Sequence, residues 1–218
     1  MKPVPDHWPP EGAATASIVP MFPLPQVVLF PRQLMPLHVF EPRYRRMIED
    51  SLDGPGRLVI ATIEEGQTDV EGAAPPVLPV AGLGEIARHD RLDDGRFLIW
   101  VFGLVRVRLN EVESDHSYRL VECEPLEETI PTKLDEERLR PELVEAIVSR
   151  SDKMLKLPPD VPITLLTDLL SQRMQLPQGS MAQIFSEHDT VRRAERALAA
   201  HQQFPPLELP PGDDDPVA

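Results

Sequence analysis

Five prolines fall within residues 19–36 of this 218-residue chain, at Pro20, Pro23, Pro25, Pro31 and Pro36, each among large apolar residues. A proline fixes φ and removes a backbone donor, so the segment is excluded from helix and from the middle of a sheet. The reading that remains is short edge strands joined by rigid turns. Past Phe40 the pattern changes. Pro42 suits a first helical position, and Tyr44, Met47, Ile48 and Leu52 recur at helical spacing on one face before Asp53 and Gly54 supply a stop.

Residues 57–128 read as β structure, in the runs RLVIATIE, VAGLGEIARHDRL, RFLIWVF, LVRVRLNEV and YRLVECEPL, separated by turn-forming residues. Asp93, Asp94 and Gly95 mark a hairpin, because the glycine tolerates positive φ. In LVRVRLN, Arg106 and Arg108 are expected on one side of a half-buried strand, solvated or paired with carboxylates. The Gly-, Ala- and Pro-rich residues 67–79 read as a surface loop. From Thr132 the period becomes helical. Leu143, Val144, Ile147, Val148, Met154 and Leu155 form one stripe, with Pro141 placed at a first turn and Thr132 with Asp135 capping a preliminary one. A second helix follows Pro162 with Leu165, Leu166, Leu169 and Leu170 together. A third is marked by Ser180 and Gln183 as a capping pair, and a fourth runs from Thr190.

These patterns predict an α+β protein. A twisted, antiparallel, barrel-like β part over residues 18–130 precedes a helical bundle over 131–204. The flanks, residues 1–17 and 205–218, are rich in proline and acidic residues and are expected to be loose. The periodic elements lie between them, so the module is expected to fold without either flank.

Three stretches carry a resemblance to a known family. FPLPQVVLFPRQLMPLHVFEPRYRRMIEDSL resembles the opening of the Lon protease N-terminal domain, a substrate-binding module that also occurs free-standing. GLGEIARHDRLDDGRFLIWVFGLVRVRL is similar to its glycine, strand, turn and strand continuation, with Gly84, Asp94, Gly95, Arg96, Gly103 and Arg106 at the recurring positions. ITLLTDLLSQRMQLPQGSMAQIFSEHDTVRRAERALAAH resembles its helical end. The resemblance runs from about Val19 to about Phe204. It implies a PUA-like β part and a noncatalytic polypeptide-binding role, as an adaptor or regulator in protein quality control. Polypeptide clients, or a protease or chaperone, are the partners it implies.

Catalytic chemistry is not signalled. The Gly-rich phosphate cradle followed by Lys and Ser or Thr does not occur. The chain has four lysines, Lys2, Lys133, Lys153 and Lys156, and Lys153 stands two residues from Ser151, a spacing that points side chains apart on a helix. The six histidines lack metal-ligand spacing, and Glu187, His188 and Asp189 read as a solvent-facing helix end. No cofactor or metal is expected. Cys123, the single cysteine, lies between Glu122 and Glu124, which disfavour a thiolate; it is expected to be structural and points to a cytoplasmic setting. A net charge of −14 disfavours nucleic acid and anionic membranes, and no run approaches the roughly 18 apolar residues of a membrane span.

The sharpest local feature is the corner Phe40, Glu41, Pro42, Arg43, Tyr44. One reading has Phe40 and Tyr44 anchoring the helix on the sheet while Glu41 binds an arginine. The other makes Phe40, Arg43, Tyr44, Arg45 and Arg46 a partner-binding site, with arginines rimming an apolar patch. Two rival functions are an RNA-binding surface built on Arg88, Arg91, Arg106 and Arg108, and a small-molecule enzyme using the concave face of the sheet.

Overall fold

The computed structural model describes residues 17–67, 74–151, 155 and 157–204. Residues 1–16, 205–218 and Met154, all subjects of expectations above, lie outside the described residues, as does part of the loop over 67–79. The chain divides into two compact units between Glu128 and Thr129.

The first unit holds β1 (Ser17–Pro25), β2 (Leu34–Val39), α1 (Pro42–Leu52), β3 (Arg57–Ile63), β4 (Val80–Arg91), β5 (Phe97–Val112) and β6 (Arg119–Pro125). The six strands form one sheet in the order β2-β5-β4-β3-β1-β6, and β5 pairs again with β6, which closes it. One edge of β5 serves two partners: residues 97–102 pair with β2 and residues 107–112 with β6. The sequence reads β5 as two strands, yet it passes through Gly103 as one of 16 residues.

Two expectations about β1 are corrected. It pairs with β3 in parallel, making the sheet mixed, and it has neighbours on both sides rather than lying at an edge. The prolines are accommodated because the neighbours divide the strand. Residues 17–21 pair with β6 and residues 21–25 with β3, so only Met21 is paired on both sides. Each proline therefore needs a donor toward at most one neighbour. β2, carrying Pro36, does lie at an edge.

Residues 26–33 form a strap between β1 and β2, and its two ends, Gln26 (φ 56°) and Arg32 (φ 63°), take the left-handed conformation. Its Leu29 and Phe30 are buried. Gly82 and Gly103 make this crossing possible: a Cβ on either would lie less than 3.0 Å from the carbonyl oxygen of Leu29 or Phe30. The strap is then tied down. Arg32 N–H donates to the Gly103 carbonyl, Gly103 N–H to the Gln33 carbonyl (both 2.8 Å), and Phe30 N–H to Gln33 Oε1 (2.9 Å).

One core cluster joins Phe22, Leu29, Val39, Leu58, Ile60, Phe97, Ile99 and Val101 to Tyr44, Met47 and Ile48 of α1, as the helical spacing predicts. A second contains Val19, Met21, Val59, Val107, Val121 and Cys123. Cys123 is buried, and burial, reinforced by Glu122, pushes its thiol up to about 12, so it stays protonated and inert. Gly95 (φ 80°) forms the expected hairpin turn. Arg106 and Arg108 do not make a basic stripe. Arg108 is exposed, whereas Arg106 is 1% exposed, lies over the Phe30 ring and pairs with Glu128.

The second unit contains α2 (Lys133–Ser149), α3 (Ile163–Gln172), α4 (Gln178–Phe185) and α5 (Thr190–Gln203). Thr132 and Asp135 form a capping box at the start of α2. That start sets the helix eight residues before Pro141, which therefore sits inside it rather than in a first turn. Pro141 is exposed, so water can satisfy the carbonyl it leaves without a donor. Ser180 likewise falls within the first turn of α4, whose cap position is Pro177. Asp189 caps α5, its carboxylate accepting from Arg192 N–H (2.9 Å). Leu139, Leu143, Ile147, Ile163, Leu166, Leu170, Ala194 and Ala197 fill the core.

Arg150, the C-cap of α2, closes the end of α5. Its guanidinium donates to His201 Nδ1 (2.7 Å) and to the Phe204 carbonyl. Burial, then the Arg150 charge, lowers the His201 pKa against the opposing pull of Glu145. A depressed histidine pKa contributes stability that is present above the ordinary value of about 6.5 and is lost as pH falls through the folded value. The His201 ring resonances should therefore titrate below about 6.5. The urea midpoint should fall over the same acid range, with a shallower fall in His201→Gln.

Candidate binding surface

Alternation along β2 and β5 sorts their side chains cleanly. Met35, Leu37, Val39, Phe97, Ile99 and Val101 point toward the core, and the residues between them point outward. The outward set is unusually apolar. Leu34 (53% exposed) stands opposite Phe102, Pro36 opposite Trp100, and His38 opposite Leu98. Phe40 (59% exposed) continues the row beyond β2, its ring 5.9 Å from that of His38. On the far side of β5, Arg88 of β4 lies over the Trp100 ring at 4.9 Å. The result is a largely apolar face at the β2 edge of the sheet, on which Leu34, Phe40 and Leu98 are exposed while Trp100 is half-buried beneath Arg88.

Phe40 is thus not the anchor that one reading of the sequence makes it. Tyr44 alone fills that role: it is 4% exposed, and its ring lies 4.5 Å from that of Phe22. Glu41 does bind an arginine, accepting from Arg43 (3.0 Å), whose guanidinium covers Tyr44 at 4.5 Å. The remaining residues of the corner diverge. Arg46 pairs with Asp50 one turn on, and Arg45 carries its guanidinium beneath the β4–β5 turn beside Gly95.

Arg43 and Tyr44 instead border a separate groove of about 900 Å³, with Glu111, Glu113, His116, Tyr118 and Arg119 among its lining. Its polar groups are largely engaged with one another. Arg119 binds Glu111 in two bonds of 2.7 Å and lowers its pKa, while the Tyr118 hydroxyl donates to Asp50 (2.9 Å). Burial, then Asp50, raises Tyr118 to about 12. Both displacements lead away from neutrality, so neither group is poised for proton transfer near pH 7. Among the described residues no group of His, Cys, Asp and Glu could hold a metal ion, and no helix is long and apolar enough to cross a membrane.

The arginines considered for RNA are mostly committed. Arg88 pairs with Asp90 (3.1 Å), Arg91 with Glu49 (3.0 Å) and Arg106 with Glu128. Sequence reasoning misses Leu34, Leu98 and Trp100 as surface residues. Both faces of RFLIWVF are apolar, so alternation alone does not say which is outward.

The family model for the ATP-dependent protease La (LON) substrate-binding domain matches residues 18–201. Lon protease of Escherichia coli (strain K12) is 28% identical over 153 residues, 70% of this chain and 19% of that protein. Lon protease 2 of Sorangium cellulosum (strain So ce56) is 28% identical over 196 residues, 84% of this chain and 24% of that one. The chain thus spans about a fifth to a quarter of these relatives. The N-terminal domain of Mycobacterium avium complex Lon protease superposes with a TM-score of 0.64 at 16% identity, covering 84% of this chain and 97% of that one. A Lon N-terminal domain protein from Xanthomonas campestris gives 0.60 at 24%, covering 84% and 98%. These structures share the α+β fold described above.

Proposed function

The chain belongs to the LON substrate-binding domain family, and on that premise we propose that it is a noncatalytic polypeptide-binding module whose contact surface is the outer face of β2 and β5 with Phe40 at its corner. The observation that carries this reading is the exposed apolar row Leu34, Pro36, Phe40 and Leu98. Exposed apolar side chains on a rigid sheet offer what an unfolded segment lacks, a fixed partner for its own apolar side chains. Of the five corner residues, Phe40 makes direct contact. Tyr44 holds α1 in place, while Arg43 covers Tyr44, Arg45 lies beside Gly95 and Arg46 pairs with Asp50, so these three are not part of the proposed contact surface. A cytoplasmic adaptor or regulator, delivering clients to a protease or chaperone, is the cellular role that fits such a surface.

The test is Leu34→Ser with Phe40→Ser, assayed by fluorescence anisotropy on labelled, reduced and carboxymethylated α-lactalbumin. Hot-spot losses of about 2 kcal/mol or more correspond to a roughly 30-fold weaker complex. Both side chains are solvent-exposed, so melting should shift little. Unchanged affinity in the double variant would refute this surface.

A further inference from the structure

Arg32 stands at the end of the apolar face, two residues before Leu34, and it is unusual in two independent respects. Its backbone takes φ 63°, a region that costs a non-glycine residue on the order of 1 kcal/mol, where glycine or asparagine would fit at less cost. Its side chain is exposed and, among the described residues, has no carboxylate partner. The arginine of β4 that shares this face, Arg88, is engaged with Asp90. The strap's hydrogen bonds account for the backbone at residue 32, since its N–H is tied to the Gly103 carbonyl at 2.8 Å. They place no requirement on the side chain.

From this juxtaposition of a lone guanidinium and an apolar row we infer that Arg32 is a specificity-determining residue, selecting extended polypeptide segments that carry a carboxylate beside their large apolar side chains. The inference rests on the polypeptide-binding reading and adds to it the chemistry of the preferred client. A guanidinium suits such a position because its planar donors match a carboxylate in two parallel bonds, and because it is held at the margin of an apolar surface at little desolvation cost. The chain's net charge of −14 makes such a local cation more selective, because the overall field repels acidic segments and Arg32 supplies attraction beside the apolar row.

The experiment uses the full chain and two fluorescein-labelled 12-residue peptides with the same Leu, Phe and Trp positions. One ends in Glu-Asp-Glu and the other in Gln-Asn-Gln, with both C-termini amidated. Wild type should prefer the acidic peptide by roughly three- to fivefold at low salt, the range of an exposed ion pair, and lose that preference near 0.5 M salt as screening shortens to about 4 Å. Arg32→Gly and Arg32→Gln should both abolish the preference while keeping affinity for the amide peptide. Arg32→Gly should also melt no lower than wild type, since glycine relieves the left-handed conformation. A merely structural role would give the reverse, with lower melting and an intact preference, and would overturn the inference, as would equal binding of both peptides by wild type. Binding of neither peptide would instead refute the polypeptide-binding reading itself.

Discussion

Gly103→Ala is expected to unfold the β unit or to destabilise it by upwards of about 3 kcal/mol, beyond the usual range for added core volume. The methyl group would meet the Phe30 backbone carbonyl, not the yielding end of a side chain. Relief would require moving the strap, and the two bonds between Gly103 and the strap at Arg32 and Gln33 would go with it. Urea unfolding followed by far-ultraviolet circular dichroism measures the effect. Gly54→Ala provides the control, because a Cβ there meets only the Ser51 carbonyl at an ordinary 3.7 Å. Comparable stability in the two variants would mean that the crossing at Gly103 is looser than described.

Tyr44→Ala should cost about 3 to 5 kcal/mol, the range of buried aromatic truncations, and lower the melting temperature sharply. The ring packs at a tilt against Phe22 at 4.5 Å and under the Arg43 guanidinium at 4.5 Å, so its loss opens a cavity and removes a contact that sets α1 on the sheet. Tyr44→Phe should be much milder. If Tyr44→Ala left melting unchanged and instead reduced capture of unfolded polypeptide, the tyrosine would be a contact residue and its assignment as an anchor would be wrong.

The parts of this fold legible in the sequence are those fixed by neighbours a few residues apart. The helix beginning at Pro42, the turn at Gly95 and the capping box of Thr132 and Asp135 each follow from local dihedral and donor requirements. Elements whose setting depends on distant partners are less legible. The proline rule for sheets applies residue by residue, and it does not anticipate a strand whose two neighbours each take one half. Gly103 stands out as a recurring position, but the reason, a carbonyl from residue 30 pressed against it, exists only in three dimensions. The same holds for Arg106, whose partner Glu128 lies 22 residues away. Phe40 is recognisable from sequence as a candidate contact residue; the neighbours that give it a surface, Leu34, Leu98 and Trp100, are hidden in runs apolar on both faces.

The closure of the sheet has a consequence for the order of events during synthesis. β1 pairs with β6 across about a hundred residues of chain, since Ser17 meets Cys123 and Met21 meets Arg119. β5 waits for the same strand along residues 107–112. At a ribosomal rate of roughly 5–20 residues per second, β1 is made about 5 to 20 seconds before the strand that covers its first half. Contacts this distant form slowly even in a complete chain. A nascent chain stalled before residue 119 would leave residues 17–21 of β1 and 107–112 of β5 without the strand they pair with, two open edges that close together when β6 arrives.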